Sequence, residues 1–171
     1  MKFTHRDATM NDLPQIVDIY NSAIPSRQST CDTEPVTVQS RVDWFKKHEL
    51  SRRPIWVAID NDSSDKRIVG YLAFSYFMNE RPGYFITSDM GLYLDPEYQG
   101  KGLGKYLLKS AIEKAPSLGI ETFATTIFAS NIASIRLFES TGFEKWGHFP
   151  RVARLGEIEH DLVMMGRRLI Y

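Results

Sequence analysis

The chain has 171 residues, 43% of them hydrophobic, with 21 Lys and Arg against 21 Asp and Glu and one cysteine. That length suits one domain, residues 1–171, around one core, and the zero net charge gives no support for a nucleic-acid partner. No apolar run approaches membrane-spanning length, and the lone Cys31 excludes an internal disulfide framework and fits a reducing cytoplasm.

The first seven residues are polar and lack the apolar stretch of a secretory leader. Phe3 to Ala8 reads as a first strand. Thr9, with Asp12 three residues on, is placed to cap a helix. Leu13, Ile16, Val17, Ile19 and Tyr20 then make an apolar stripe suited to core packing. Residues 22–36 are polar and irregular, long for a connection in a compact fold, and such loops are often binding loops or lids. A second helix runs from Thr37 to about His48, with Val42, Trp44 and Phe45 as its apolar contacts. Ile55 to Asp60 and Arg67 to Phe77 read as an antiparallel hairpin around the polar turn Asn61–Asp65.

The next strand, Tyr84 to Leu94, is stopped by Asp95-Pro96, because proline has no N–H for a ladder. Gly100, Gly102 and Gly104 follow at every second position. After them a helix runs to about Ala115, with Tyr106, Leu107, Leu108, Ala111 and Ile112 at helical spacing. Glu121 to Phe128 is a strand. Ser130 or Asn131 caps a short helix from Ile132 to Glu139 that Thr141-Gly142 ends, and Phe143–His148 and Glu157–Leu169 are the last strands. A meander followed by a βαβ unit makes an α/β fold, a mixed twisted sheet with helices on both faces.

Strand, glycine-rich turn and helix start together expose backbone N–H groups at the positive end of a helix dipole, where a phosphate is the natural guest. The spacing is not that of a P-loop: Gly104-Lys105 is followed by Tyr106, and Gln99 stands five residues before Gly104. Nor is it a dinucleotide fingerprint, since the third glycine comes one residue early and Lys105 takes its place. Gln99-x-x-Gly102-x-Gly104 resembles the acyl-CoA signature of the GCN5-related N-acetyltransferases (GNAT). The stretch from Asn131 through Ser134, Leu137 and Phe138 to Gly142-Phe143 is similar to a second motif of that family, and Arg6-Asp7-Ala8-Thr9 and Ile19-Tyr20-Asn21 resemble its opening strand and helix. Within the family the resemblance is to the phosphinothricin and methionine sulfoximine N-acetyltransferases. It is carried by Thr33-Glu34-Pro35, by the Arg81 to Asp89 segment and by Glu159-His160-Asp161-Leu162.

The resemblance implies a GNAT fold with a mostly antiparallel sheet, and transfer of acetyl from acetyl-CoA, as co-substrate, to the primary amine of a small amino acid or analogue. It implies that Gln99, Gly100, Lys101, Gly102, Leu103, Gly104 and Lys105 hold the pyrophosphate, and that Leu92, Tyr93 and Leu94 present N–H donors to the thioester carbonyl. Asn131 and Ser134 would lie beside the pantetheine arm. A protonated amine does not attack, so a base is required. Asp89 stands where the subgroup has glutamate, one methylene shorter; the plainer alternative is a strand carboxylate satisfied by backbone. Glu34 is a second carboxylate, or a solvated loop charge.

Arg81 and Tyr84 could hold the substrate's carboxylate or phosphinate, with Arg27 a weaker option and surface roles as the alternative. His160 is either a structural strand histidine or part of the substrate site. The family's tyrosine acid is replaced by Phe138, and Cys31 has no histidine partner in an identifiable motif. No metal-ligand spacing is present. Acetylation of a protein N-terminus or lysine, and an inactive acyl-CoA-binding regulatory module, remain alternative functions. The resemblance also implies a homodimer.

Overall fold

The computed structural model describes residues 2–169. Seven strands form one sheet in the order β1-β2-β3-β4-β5-β7-β6. These are β1 (Phe3–Asp7), β2 (Ile55–Asp60), β3 (Ile68–Tyr76), β4 (Thr87–Leu94), β5 (Thr122–Phe128), β6 (Glu144–Leu155) and β7 (Ile158–Arg168). Every neighbouring pair is antiparallel except β4 with β5. The helices are α1 (Leu13–Ala23), α2 (Val38–Lys46), α3 (Leu103–Lys114) and α4 (Ile132–Glu139).

The central strands are apolar on both sides because both sides are covered. Trp56, Ala58, Val69, Leu72 and Phe74 point into one core with Leu103, Leu107, Leu108 and Ala111 of α3 and Phe138 of α4. Their alternate neighbours Ile55, Val57, Tyr71 and Ala73 meet Ile16 and Ile19 of α1 on the other face, with Trp44 and Phe45 of α2 packed alongside. The two-residue period of a strand thus divides one hydrophobic run between two cores.

Three boundaries differ from the sequence reading. The strand expected from Tyr84 begins at Thr87, because Pro82–Tyr84 form a 3-10 turn. The strand expected over Phe143–His148 runs on to Leu155, with a register shift between Phe149 and Ala153 and Arg151 at φ +50°. That bulge accommodates Pro150, which would otherwise stop the ladder. Thr9 opens a short 3-10 turn, Met10–Asp12, rather than α1 itself, and its N–H donates to the Asp12 carboxylate at 2.7 Å.

The parallel pair carries the feature that matters. β4 and β5 meet only at Thr87 with Thr122 and Ser88 with Phe123. Beyond that point β4 stays paired to β3 as far as Gly70 with Leu94, and β5 stays paired to β7 as far as Phe128 with Leu162. The two strands therefore diverge, and the sheet opens between them.

Candidate active site

A cavity of about 410 Å³ occupies this opening on the α1–α2 face. Asp89, Gly91 and Tyr93 line it from β4, Tyr71, Ala73 and Ser75 from β3, and Thr125 and Ile127 from β5. Its far wall is α4, through Asn131, Ser134 and Phe138, and its α2 side carries Arg41 and Trp44.

Asp89 sits opposite Ser75 in the β3–β4 register. Its Oδ1 accepts the Met90 N–H at 2.6 Å, and the Thr125 hydroxyl lies within bonding reach of both this carboxylate and the Met90 carbonyl. Burial pushes the Asp89 carboxyl above its ordinary value, only partly offset by the Thr125 and Met90 bonds. A raised carboxyl is a better proton acceptor than an exposed one.

The roof is the loop between α1 and α2. Tyr93 donates to the Ser29 carbonyl at 3.2 Å, Asn131 Nδ2 donates to the Gln28 carbonyl at 3.1 Å, and the Ser130 hydroxyl donates to Gln28 Oε1 at 3.0 Å. The Tyr20 hydroxyl bonds Asp32 and lies 2.5 Å from Thr30 Oγ1, while Arg41 reaches Asp32 at 2.9 Å. Asn21 clasps Val36 by two bonds of 2.9 Å. The long polar loop, which its sequence suggested as a binding loop or lid, is thus strapped across the opening. Cys31 lines the cavity, but burial and Asp32 raise its thiol, and no histidine lines the cavity. A protonated thiol without a base is a poor nucleophile.

Past the cavity β4 leads into the glycine turn. Gly100 and Gly102 have φ of +70° and +86°, and Gly102 is the N-cap of α3. A side chain there would strain the backbone. Nothing lies within 4 Å of a Cβ placed on either residue, so the peptide surface of the turn is open. The first N–H groups of α3 have no acceptor within the helix and face this turn. Leu103 and Gly104 are buried, so only their backbone can serve a ligand, whereas Gln99, Lys101 and Lys105 are exposed. These residues fit a pyrophosphate.

Of the residues singled out from sequence, Asp89, Leu92, Tyr93, Asn131 and Ser134 meet at the cavity. Asn131 is already engaged there, its Oδ1 capping the Ser134 N–H at 3.1 Å. Leu94 packs against the core instead. Glu34, Arg81, Tyr84 and His160 do not line the cavity. Glu34 and Arg81 are exposed, the Tyr84 ring rests against Phe77 at 5.8 Å, and His160 stands edge-on behind Phe128 at 5.3 Å. Arg27 donates to the Thr33 carbonyl within the loop. The cation that does line the cavity is Arg41, whose guanidinium lies 4.7 Å over the Tyr20 ring. Its three-residue spacing from Trp44 puts both on one helix face, but the sequence reading took Trp44 only as an apolar contact and did not single out Arg41.

A sheet parted between parallel strands, a desolvated carboxylate in the gap and a glycine-turned helix start define an acyltransferase. The chain belongs to the acetyltransferase (GNAT) family, whose model matches residues 14–143. It is 42% identical to YwnH of Bacillus subtilis, which carries the provisional name phosphinothricin acetyltransferase, over 97% of this chain and 99% of that one. It is 33% identical to the L-methionine sulfoximine/L-methionine sulfone acetyltransferase of Pseudomonas aeruginosa, over 90% of this chain and 87% of the relative. The crystal structure of a phosphinothricin acetyltransferase from Sinorhizobium meliloti in complex with acetyl-CoA superposes with a TM-score of 0.90 at 29% identity, covering 99% of this chain and 89% of that one.

Proposed function

We propose that this enzyme acetylates the primary amine of a small amino acid or amino-acid analogue of the phosphinothricin or methionine sulfoximine type. The observation that carries the reading is the desolvated Asp89 in the cavity between the diverging strands. Acetyl-CoA is the co-substrate and supplies the activated acyl carbon, its pyrophosphate held by the turn from Gln99 to Lys105 and the start of α3. The N–H groups of Leu92 to Leu94 are the donors toward the thioester oxygen, where negative charge develops.

The acceptor's ammonium gives a proton to Asp89, directly or through one water. The free amine then attacks the thioester carbon, the C–N bond forms as C–S breaks, the attacking nitrogen passes its second proton to solvent water, and CoA leaves as the thiolate. Phe138 has no proton to give it, so that proton comes from solvent. Transfer is direct in a ternary complex, in keeping with the raised thiol of Cys31 and the lack of a histidine beside it. Arg41, with one hydrogen bond among the described residues, to Asp32, keeps N–H donors for an acceptor carboxylate. The strapped roof suits a small acceptor better than an extended peptide. The enzyme works as a homodimer, and the exposed, unpaired Cys31 fits a reducing compartment such as the cytoplasm.

Thiol release from acetyl-CoA against phosphinothricin, methionine sulfoximine, methionine sulfone, free amino acids, polyamines and short peptides tests the reading. Selective turnover of amino acids or their analogues is expected. Turnover of peptides alone would reassign the enzyme to protein acetylation, and tight acetyl-CoA binding without any turnover would favour a regulatory module.

A further inference from the structure

A second cavity, of about 360 Å³, abuts the first, and Trp44 and Ser75 line both. Its other walls include Lys47, His48, Arg53, Tyr76 and Asn79, with Glu80 as the one carboxylate. Arg53 is 2% exposed and forms no ion pair among the described residues. Its Nη atoms donate to the carbonyls of Arg52 and Phe85 at 2.8 Å and of Thr87 at 3.2 Å, and its plane lies 4.6 Å over the Tyr76 ring. Its Nε finds no acceptor among the described residues.

Carbonyl dipoles and a ring face hold a guanidinium in place but do not cancel its charge. A buried cation with no carboxylate in contact is costly. Burial depresses the Arg53 pKa in spite of the opposing pull of Glu49, and it lowers that of His48, whose Nδ1 lies 3.0 Å from the Arg53 carbonyl oxygen. Lys47 adds an exposed positive charge at the rim, while Glu80 is exposed to solvent. The wall is therefore net positive, and its least screened charge is Arg53.

The position of this wall matters. Ser75, shared by both cavities, is the register partner of Asp89. Directly paired strand residues lie about 5 Å apart, roughly the span of a three-atom side chain. An acceptor whose amine meets Asp89 can cross at Ser75 and end in the second cavity.

We propose that the second cavity is a side-chain subsite for the anionic end of the acceptor, a phosphinate or carboxylate, with Arg53 and Lys47 supplying the attraction. This rests on the amino-acid reading above and sharpens it: acceptors with an anionic side-chain terminus are preferred over neutral isosteres.

The test is the ratio of kcat/KM within matched pairs, phosphinothricin against methionine sulfone and glutamate against glutamine. The wild type is expected to favour the anionic member about tenfold, through attraction to the exposed Lys47 and to the charge of the buried Arg53. Arg53→Met should bring the ratio toward one. Lys47→Glu, on the exposed rim where folding is not at risk, should lower it severalfold. A wild-type ratio near or below one, or a ratio that both substitutions leave unchanged, overturns the subsite.

A binding measurement separates this proposal from the acetylation reading. Dimethylphosphinate should bind the wild type more tightly than the neutral dimethyl sulfone by ligand-observed NMR, and Lys47→Glu should weaken only the anion. Failure of every amino acid to turn over would sink the acetylation reading. The subsite would then stand with this anion preference or fall without it.

Discussion

A carboxylate withdrawn from bulk water is both a stronger base and a costlier charge than one in water, and the half-buried Asp89 is in that position. Its raised carboxyl should place the acid limb of kcat/KM above the ordinary aspartate range, with activity falling as pH drops through it. Asp89→Asn should remove that limb and lower kcat by about a hundred- to ten-thousandfold, with little change in acetyl-CoA affinity. The stability effect has the opposite sign. A carboxyl raised in the folded state stabilises the fold below its unfolded value, near 3.8, and that contribution is lost as pH rises through the folded value. At neutral pH, Asp89→Asn should therefore leave thermal stability equal or slightly higher. A variant that kept wild-type kinetics would remove Asp89 from the chemistry, and one that unfolded would make it a structural carboxylate.

At the scale of elements, the catalytic gap depends on what spans it. α1, α2 and α4 hold the roof loop through Tyr20, Asn21, Arg41 and Asn131, side chains drawn from three helices. Tyr20→Phe removes the hydroxyl that bonds Asp32 and Thr30 and should cost about 1 kcal/mol. The larger effect should be local: faster hydrogen exchange over residues 28–33 and a raised KM for the acceptor, with that for acetyl-CoA little changed. Unaltered exchange there would mean that the loop is held by its other straps. The glycine turn and the β4–α3–β5 unit were legible in the sequence because local chemistry dictates them: Asp95-Pro96 ends a strand, and Gly100 and Gly102 occupy positive φ. Asp89 was legible through its strand and motif position. Arg41 and Arg53 were not, since their surroundings arise from tertiary packing. Arg52-Arg53-Pro54 reads as a solvated segment end, yet Arg53 bonds carbonyls 32 and 34 residues downstream. Arg81 and Tyr84 were chosen from the resemblance of the Arg81 to Asp89 segment and from their anion-binding chemistry, and the 3-10 turn at Pro82–Tyr84 sets them outside the cavity.

At the scale of the molecule, the sheet has one long unpaired edge. β6 has 12 residues and pairs only with β7, and Trp146, Phe149 and Val152 on it, with Ile158 at the start of β7, are exposed. Pro150, the bulge and the charged residues blunt its ladder, but an exposed apolar cluster of this kind invites association unless it is covered. The homodimer proposed above would cover it with its own counterpart, because a two-fold interface joins one patch to itself. Trp146 is also anchored within the chain: a Cβ on Gly166 would fall 2.0 Å from its ring, so the indole lies flat on the glycine of β7. Trp146 is accordingly a poor choice for substitution, whereas Phe149 and Val152 flank the bulge at Arg151 and can be changed without opening the core. Wild-type protein should sediment as a dimer at micromolar concentration, and the double variant Phe149→Asp, Val152→Asp as a folded monomer. A monomeric wild type would refute the dimer, and a variant that stays dimeric would move the interface off β6. Turnover per chain in the monomeric variant then reveals whether one chain's cavity, roofed by its own loop, is complete without a partner.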